Sequence, residues 1–253
     1  MGQSFSIQFL GTGTSQGIPV IGCECDVCKS VNPKNRRLRT SAIIHTPRLT
    51  ILIDAGPDLR QQLLGLSDLP EALLITHAHQ DHIAGMDDLR PVIFLQGNDS
   101  FPVFCNQTTA DRVRQMYPYA FVENPYPGAP KFALNIISQS VFHVKDELVI
   151  PIFGSHAGME VLGFRVGPIV YITDMNCISD DELEKAKGAE IMVINALRKE
   201  KHHSHFNVDE AIDIGRKSGV PQVYFTHISH HLDHDICLPP GFFMAYDGLK
   251  ISV

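Results

Sequence analysis

The sequence predicts a single α/β domain, and three observations lead to this prediction. Short apolar runs rich in β-branched or aromatic residues recur along the chain, and small or polar residues end each run. Helical periodicity separates some of these runs in the second half, so strands and helices alternate there. No linker, charge run or fixed-period repeat divides the 253 residues. We therefore expect residues 1–253 to form one domain.

The individual elements follow from local signals. Helices are expected at residues 109–117, 180–187 and 209–218. Ser179 and Asn207 are suited to cap the second and third of these helices, and Gly219 is suited to end the third. Strands are expected at residues 6–10, 41–45, 50–53, 72–75, 101–104, 136–138, 147–153, 161–166, 169–173, 191–195 and 222–226.

Composition and charge exclude several classes of function. A hydrophobic fraction of 44% excludes a disordered chain. The net charge of −7 makes nucleic acid a poor candidate partner, because no broad basic surface is available. No apolar run approaches the ~18 residues of a membrane span, and no signal peptide is recognisable, so we expect a cytoplasmic protein without membrane contact. Arg36, Arg37 and Arg39 form a short basic run that is typical of a solvated loop, with a phosphate contact as the alternative.

The cysteines indicate metal chemistry rather than disulfides. Six cysteines without a secretory signal are not the pattern of a disulfide framework. Three of them, Cys23, Cys25 and Cys28, fall within six positions, whereas the others are scattered. Three thiolates need a fourth ligand to complete a tetrahedral structural zinc site. We therefore expect a small zinc-binding loop near residues 22–29, completed by a fourth ligand from elsewhere in the chain.

A second cluster carries the strongest chemical signal. The histidine motif, residues 77–82 with the sequence His-Ala-His-Gln-Asp-His, follows the apolar run 72–75. Its three imidazoles and one carboxylate are suitable ligands for Zn²⁺, Mn²⁺ or Fe. Further donors stand alone where other apolar runs end: His156, Asp174 and His227. Convergence of these strand ends on one rim is expected to complete a metal centre.

These motifs closely resemble those of the metallo-β-lactamase superfamily. The resemblance extends from Gly11-Thr12-Gly13-Thr14 through Ile53-Asp54-Ala55-Gly56 and the histidine motif to Thr226-His227. It implies a four-layer αβ/βα sandwich with two divalent metals at one edge of the sheets. It also implies that Asp54 orients the histidine motif. The implied ligands are His77, His79 and His156 for one metal, Asp81, His82 and His227 for the other, and Asp174 for both.

A narrower resemblance is to the cyclic phosphodiesterases of the bacterial carbon–phosphorus lyase pathway. It implies that His230 completes the cysteine site, with His231 and His234 as close alternatives. It also selects His205, which stands 22 residues before His227, as a general acid or phosphate contact. Mn²⁺ is implied for the catalytic pair, with Zn²⁺ or Fe as alternatives, and Zn²⁺ for the cysteines.

The resemblance implies a hydrolase that cleaves phosphodiester bonds of a small substrate, such as a cyclic nucleotide or ribosyl phosphate. A hydroxide bridging the two metals would attack, with Asp81 and His205 as catalytic residues. Family analogy also suggests a homodimer. The alternatives are a PQQ-biosynthesis protein, another hydrolase of this fold, or a tRNA 3′-processing nuclease. A metal- or nucleotide-binding module without activity is the alternative from a different class.

Overall fold

The computed structural model describes residues 4–124 and 126–253. No helix in this part of the chain is both long enough and apolar enough to cross a bilayer. The helices are α1 (Asp26–Lys29), α2 (Leu59–Leu63), α3 (Gln80–Ile83), α4 (Arg90–Gln96), α5 (Gln107–Met116), α6 (Asp180–Glu184) and α7 (Val208–Ser218). The strands are β1 (Ser6–Gly11), β2 (Ser41–His45), β3 (Thr50–Ile53), β4 (Ala72–Leu74), β5 (Phe101–Cys105), β6 (Phe132–Ile136), β7 (Phe142–Val144), β8 (Glu147–His156), β9 (Met159–Val166), β10 (Ile169–Tyr171), β11 (Cys177–Ile178), β12 (Ile191–Asn195), β13 (Gln222–Thr226), β14 (Phe242–Met244) and β15 (Lys250–Ser252).

The strands form two mixed sheets. The seven-stranded sheet has the order β15-β1-β2-β3-β4-β5-β6, and its strands are parallel from β3 to β6. The eight-stranded sheet has the order β11-β8-β9-β10-β12-β13-β14, with β7 paired to β8, and it is parallel from β10 to β14. Parallel strands end at the same edge of a sheet, so the loops after β3 and β4 lie together, as do those after β10, β12 and β13.

Alternation of side chains along each strand produces three apolar layers. Ile51 and Ile53 of β3 face a core shared with Val193 of β12, and this core lies between the sheets. Leu52 faces the opposite way, into a core formed with helices α2 to α5. Met192 of β12 likewise packs into a third core with helices α6 and α7. The order helices, sheet, sheet, helices is the predicted four-layer sandwich.

Most predicted elements are present, with shifted boundaries. The strand expected at 136–138 is wrong: β6 comprises Phe132–Ile136, where it pairs with β5. Helix α5, which was expected at residues 109–117, begins at Gln107 because the Asn106 side chain accepts a hydrogen bond from Thr109 N. Helix α7 has a capping box between Asn207 and Glu210, and it ends at Gly219 with φ 70°.

Only Arg36 of the basic run is exposed, as expected of a solvated loop; Arg37 and Arg39 are held in the fold. Arg37 is only 2% exposed, and its Nη1 donates to Thr12 Oγ1 at 2.7 Å and to Ala245 O at 2.6 Å. Arg39 forms a salt bridge with Asp58 at 2.9 Å. Arg37 therefore joins Thr12 to Ala245, and Arg39, just before β2, bonds Asp58, just before α2. The sequence pattern did not reveal this because the partners of both guanidinium groups lie far away along the chain.

Candidate metal centre

Three residues at strand ends adopt the left-handed backbone conformation. Asp54 follows β3 with φ 60°, Asp174 follows β10 with φ 57°, and His227 follows β13 with φ 53°. Such values are uncommon for residues other than glycine, although Asp and His tolerate them better than most residues. Conformational strain of this kind is concentrated at functional sites. All three side chains are almost completely buried.

Asp54 organises the histidine motif. Its Oδ2 accepts from His82 Nδ1 at 2.7 Å, and its Oδ1 accepts from Thr76 N at 2.8 Å. Thr76 Oγ1 also donates to Asp54 Oδ2 at 2.9 Å, which leaves this hydroxyl to accept from His77 Nδ1 at 3.0 Å. Because a carboxylate only accepts, these contacts place the ring protons on the Nδ1 atoms. The Nε2 atoms of His77 and His82 therefore remain available as ligands.

Close backbone contacts place this loop against the end of β3. Ala55 N donates to His82 O at 2.7 Å, and Gly85 N donates to Ala55 O at 2.8 Å. A Cβ atom on Gly56 would lie 2.0 Å from Asp81 O. Only glycine fits this contact, because real Cβ atoms do not approach backbone oxygens so closely. The Asp54-Ala55-Gly56 sequence thus provides both an acceptor and the space for the histidine motif.

Several buried ring nitrogens have no hydrogen-bond partner among the described residues. They are Nε2 of His77, Nε2 of His82, and both ring nitrogens of His227. His82 Nε2 lies 3.3 Å from Asp81 Oδ2 and 3.4 Å from Asp174 Oδ2. His227 Nε2 lies 2.9 Å from Asp174 Oδ1, yet without hydrogen-bond geometry. Donor atoms that converge without bonding one another fit a cation between them, and imidazole and carboxylate suit Zn²⁺, Mn²⁺ or Fe.

The remaining predicted residues lie in the same cluster. His156 Nδ1 donates to the backbone oxygen of Asp174 at 2.9 Å, and its ring lies 5.8 Å from that of His77. His79 is exposed, with its ring 5.1 Å from that of His156. His205 Nε2 donates to Asp174 Oδ1 at 3.0 Å. The structure therefore brings together the whole expected set from both sheets.

The charges of the cluster stabilise one another. Burial alone would raise the pKa of Asp174, but His227 and His82 hold it well below its usual range. Burial opposes the charged form of His227, yet Asp174 raises the pKa of this ring to about 9. Burial lowers the pKa of His205 despite its hydrogen bond to Asp174. Asp174 is therefore ionised at neutral pH, as a metal ligand must be.

The cysteine cluster forms a separate donor set. His230 Nδ1 lies 3.2 Å from Cys23 Sγ, 3.5 Å from Cys25 Sγ and 3.7 Å from Cys28 Sγ. The Cys28 N–H lowers the pKa of Cys25, whereas burial raises the pKa of Cys28 to about 11. Three sulfurs and one imidazole fit a tetrahedral zinc ion.

The two alternatives to His230 do not contribute a ring nitrogen to the cysteine cluster. His231 is exposed, and His234 Nδ1 accepts from Arg37 Nη2 at 3.2 Å. Of the three histidines considered from the sequence, His230 is the one whose ring lies against the cysteines.

Sequence reasoning assigned no role to Thr76 or Asn195. Thr76 connects Asp54 to His77. Its position directly before the histidine motif could have indicated a role in orienting the histidines. Asn195 ends β12, is fully buried, and bonds the backbone of Met175. A buried amide at the end of an apolar strand is a weak signal, since its partner cannot be inferred from the sequence.

Comparison with known proteins identifies the family. Residues 49–228 match the family model described as a beta-lactamase superfamily domain. The match covers more than half of the chain and includes the histidine motif, His156, Asp174 and His227. The chain belongs to the β-lactamase superfamily. This membership confirms the resemblance drawn from the motifs and agrees with the four-layer sandwich.

Within the β-lactamase superfamily, the narrower resemblance is also confirmed. A crystal structure described as a new diphosphatase from the PhnP family is 34% identical to the chain, with a TM-score of 0.92. The alignment covers 99% of this chain and 98% of that protein. The chain is therefore also a member of the PhnP family, in agreement with the narrower resemblance drawn from its cysteines and histidines.

Another relative is a longer protein. The Porphyromonas gingivalis protein named octanoyltransferase is 39% identical over 96% of this chain. The chain spans about half of that relative, 51% of its length. The coenzyme PQQ synthesis protein B of Methylobacterium nodulans is 36% identical over 32% of this chain and 32% of its own length.

More distant structures share the fold alone. Zinc-bound PqqB from Methylobacterium extorquens is 18% identical, with a TM-score of 0.73 over 98% of this chain and 100% of its own. The short form of human tRNase Z is also 18% identical, with a TM-score of 0.71 over 98% of each chain. These likenesses support the architecture and do not decide between the alternative functions.

Proposed function

We propose that the chain is a metal-dependent hydrolase that cleaves a phosphodiester or diphosphate bond in a small substrate. The observation that carries this proposal is the convergence of donors from both sheets on Asp174, with buried ring nitrogens left without hydrogen-bond partners. The diphosphatase named among its relatives supports the same class of bond. A site built only for stability would pair these groups with one another, because unpaired buried polar groups are costly.

The donor set is sufficient for two cations. When bound, divalent cations provide an activated water nucleophile at neutral pH and neutralise charge on the phosphate oxygens. We assign His77, His79 and His156 to one cation and Asp81, His82 and His227 to the other. Asp174 would serve both. A third cation, Zn²⁺, is assigned to Cys23, Cys25, Cys28 and His230.

Three further residues are assigned to orienting the ligands or contacting the substrate. Asp54 and Thr76 keep the ring protons of His82 and His77 on Nδ1, so that Nε2 is the ligand atom. His205 is assigned to the phosphate or the leaving oxygen, because its Nε2 carries a proton beside Asp174. The exposed position of His79 leaves one side of the cluster open to a substrate.

The test combines metal analysis with hydrolysis assays. Purified protein is incubated with bis(p-nitrophenyl) phosphate, or with a dinucleoside diphosphate, in the presence of Mn²⁺ or Zn²⁺. We expect metal-dependent cleavage and about three metal ions per chain by elemental analysis. Asp174→Asn and Asp81→Asn should each lower the rate at least roughly 100-fold, because each removes an anionic ligand.

A matched control is Asp99→Asn, which makes the same chemical change at an exposed position. This variant should retain the metal content and the rate of the unchanged protein. Two results would overturn the proposal. One is no more than one metal ion per chain, and the other is hydrolysis that survives removal of the Asp174 carboxylate.

A second candidate is hydrolysis of an acyl thioester. It is favoured by the 39% identity to the P. gingivalis protein named octanoyltransferase, although this chain covers only half of that protein. An octanoyl thioester in the same assay distinguishes the two candidates. Cleavage of the thioester without cleavage of either phosphate substrate would favour the second candidate.

A further inference from the structure

Residues 195–197 contact three of the donor-bearing segments at once. Ala196 N donates to Thr226 O at 3.0 Å, directly before His227. Leu197 N donates to Phe206 O at 3.0 Å, directly after His205. Leu197 O accepts from Ser229 N at 3.0 Å. The end of β12 thus fixes the backbone on both sides of His227 and next to His205.

Asn195 adds the third segment through its side chain. Its Oδ1 accepts from Met175 N at 2.9 Å, and its Nδ2 donates to Met175 O at 2.9 Å. Met175 directly follows Asp174, whose backbone is left-handed. Met175 O also accepts from Phe206 N at 2.8 Å. One carbonyl oxygen therefore joins Asn195 to the residue after Asp174 and to the residue after His205.

We propose that Asn195 is a positioning residue that sets the geometry of the Asp174–His205 pair. The side-chain amide is required because it supplies one acceptor and one donor to the backbone of a single residue. An aspartate would lack the donor, and a leucine would lack both groups. The proposal deepens the proposed function and rests on it, since the pair lies in the assigned metal centre.

A role confined to stability would have a different pattern of contacts. Asn195 is fully buried and needs partners for its amide, and any nearby backbone groups would satisfy that need. Both partners are backbone atoms of Met175, the residue that adjoins Asp174. Displacement of Met175 would move Asp174 Oδ1, which is the atom that His205 Nε2 and His227 Nε2 approach.

The experiment compares Asn195→Ala and Asn195→Ser with the unchanged protein. The affinity for Mn²⁺ alone is measured by competition with a chromogenic chelator, and kcat and KM are measured at saturating Mn²⁺. We expect the Kd for Mn²⁺ to rise roughly 10- to 100-fold in the alanine variant. We expect kcat to fall by about the same factor with KM changed less than about 3-fold, because the defect lies in orientation.

Asn195→Ser retains a hydroxyl that can donate to Met175 O but not the full amide, so it should recover only about half of the lost affinity on a logarithmic scale. The matched control is Ser218→Ala, which removes a buried hydrogen bond to Gly215 O in α7, away from the donors. It should lower Tm and leave the Kd for Mn²⁺ unchanged.

Three outcomes are decisive. An alanine variant with Kd and kcat within about twofold of the unchanged protein overturns the proposal. If the alanine variant does not fold, the serine variant decides, and an unchanged Kd there overturns it as well. If the unchanged protein hydrolyses no substrate, the proposed function fails, but the Kd comparison still tests the role of Asn195.

Discussion

Asp54 Oδ2 and His82 Nδ1 lie 2.7 Å apart, and neither side chain is exposed to solvent. Burial raises the pKa of Asp54, and the His82 ring partly offsets this effect. The pair lies beneath the cluster and directs the opposite ring nitrogen of His82 toward Asp81 and Asp174. The buried Asp54 carboxylate therefore determines which ring nitrogen of His82 faces Asp81 and Asp174.

Asp54→Ala should weaken metal binding about 10- to 100-fold, because His82 loses the acceptor that fixes its orientation. The measurement is a titration of the metal-free protein with Mn²⁺. Asp99→Ala, at an exposed position, is the control and should bind normally. Equal affinities for the two variants would contradict the orienting role.

His205→Ala should lower kcat by roughly 10²- to 10⁴-fold while the metal content stays unchanged, because the residue is assigned to proton transfer or phosphate binding. Elemental analysis and steady-state kinetics measure the two quantities. His203→Ala removes an exposed imidazole two residues away and should have neither effect. Loss of metal from the His205 variant would instead make that residue a ligand.

Gly56→Ala should reduce the free energy of unfolding by about 3 kcal/mol, because the new Cβ would lie 2.0 Å from Asp81 O. Gly65 has φ 86° and nothing near its missing Cβ, so Gly65→Ala should cost only about 1 kcal/mol. Denaturant unfolding measures both. A similar loss of unfolding free energy in both variants would show that the loop carrying Asp81 can move away from residue 56.

Cys25→Ser should remove one zinc ion per chain and lower Tm, because the cysteine loop loses a ligand that joins it to His230. Elemental analysis and thermal unfolding provide the two measurements. Cys177→Ser, at an exposed position outside the cluster, should change neither. An unchanged zinc content in the Cys25 variant would rule out the assigned site.

His234→Asn should gain stability relative to the unchanged protein as the pH falls from about 6.5 toward 4. Burial and the neighbouring Arg37 lower the pKa of His234 to about 4 in the folded chain, below the ordinary histidine value of 6.5. In this range the unfolded chain binds more protons, so acid destabilises the protein through His234. Asparagine does not titrate and can still accept from Arg37. A Tm difference that is constant between pH 7.5 and 5 would contradict this coupling.

The sequence predicted the donors better than their arrangement. His77, His79 and His82 were recognisable because they are close in the chain, and His156, Asp174 and His227 because each ends an apolar run. The carboxyl ends of parallel strands lie at one edge of a sheet, and functional side chains are concentrated there. The fold class therefore predicted that these donors converge. The choice of His205 and His230 depended on a family resemblance, since adjacent histidines offered the same chemistry.

Through-space relationships could not be predicted. The burial of Arg37 depends on Thr12 and Ala245, and local sequence carries no information about such distant partners. The same holds for Asn195, whose amide bonds a residue 20 positions away. The displaced strand β6 has another cause: its apolar signal is weak because one end of the strand is exposed at the sheet edge.

The donors of the metal centre come from both halves of the chain. His77 to His82 follow a strand of the first sheet, whereas Asp174 and His227 follow strands of the second. A nascent chain on the ribosome therefore exposes the histidine motif long before its remaining donors are synthesised. The full donor set exists only after residue 227 has emerged and the second sheet has packed against the first, so an ion that needs all of these donors would be captured late in maturation.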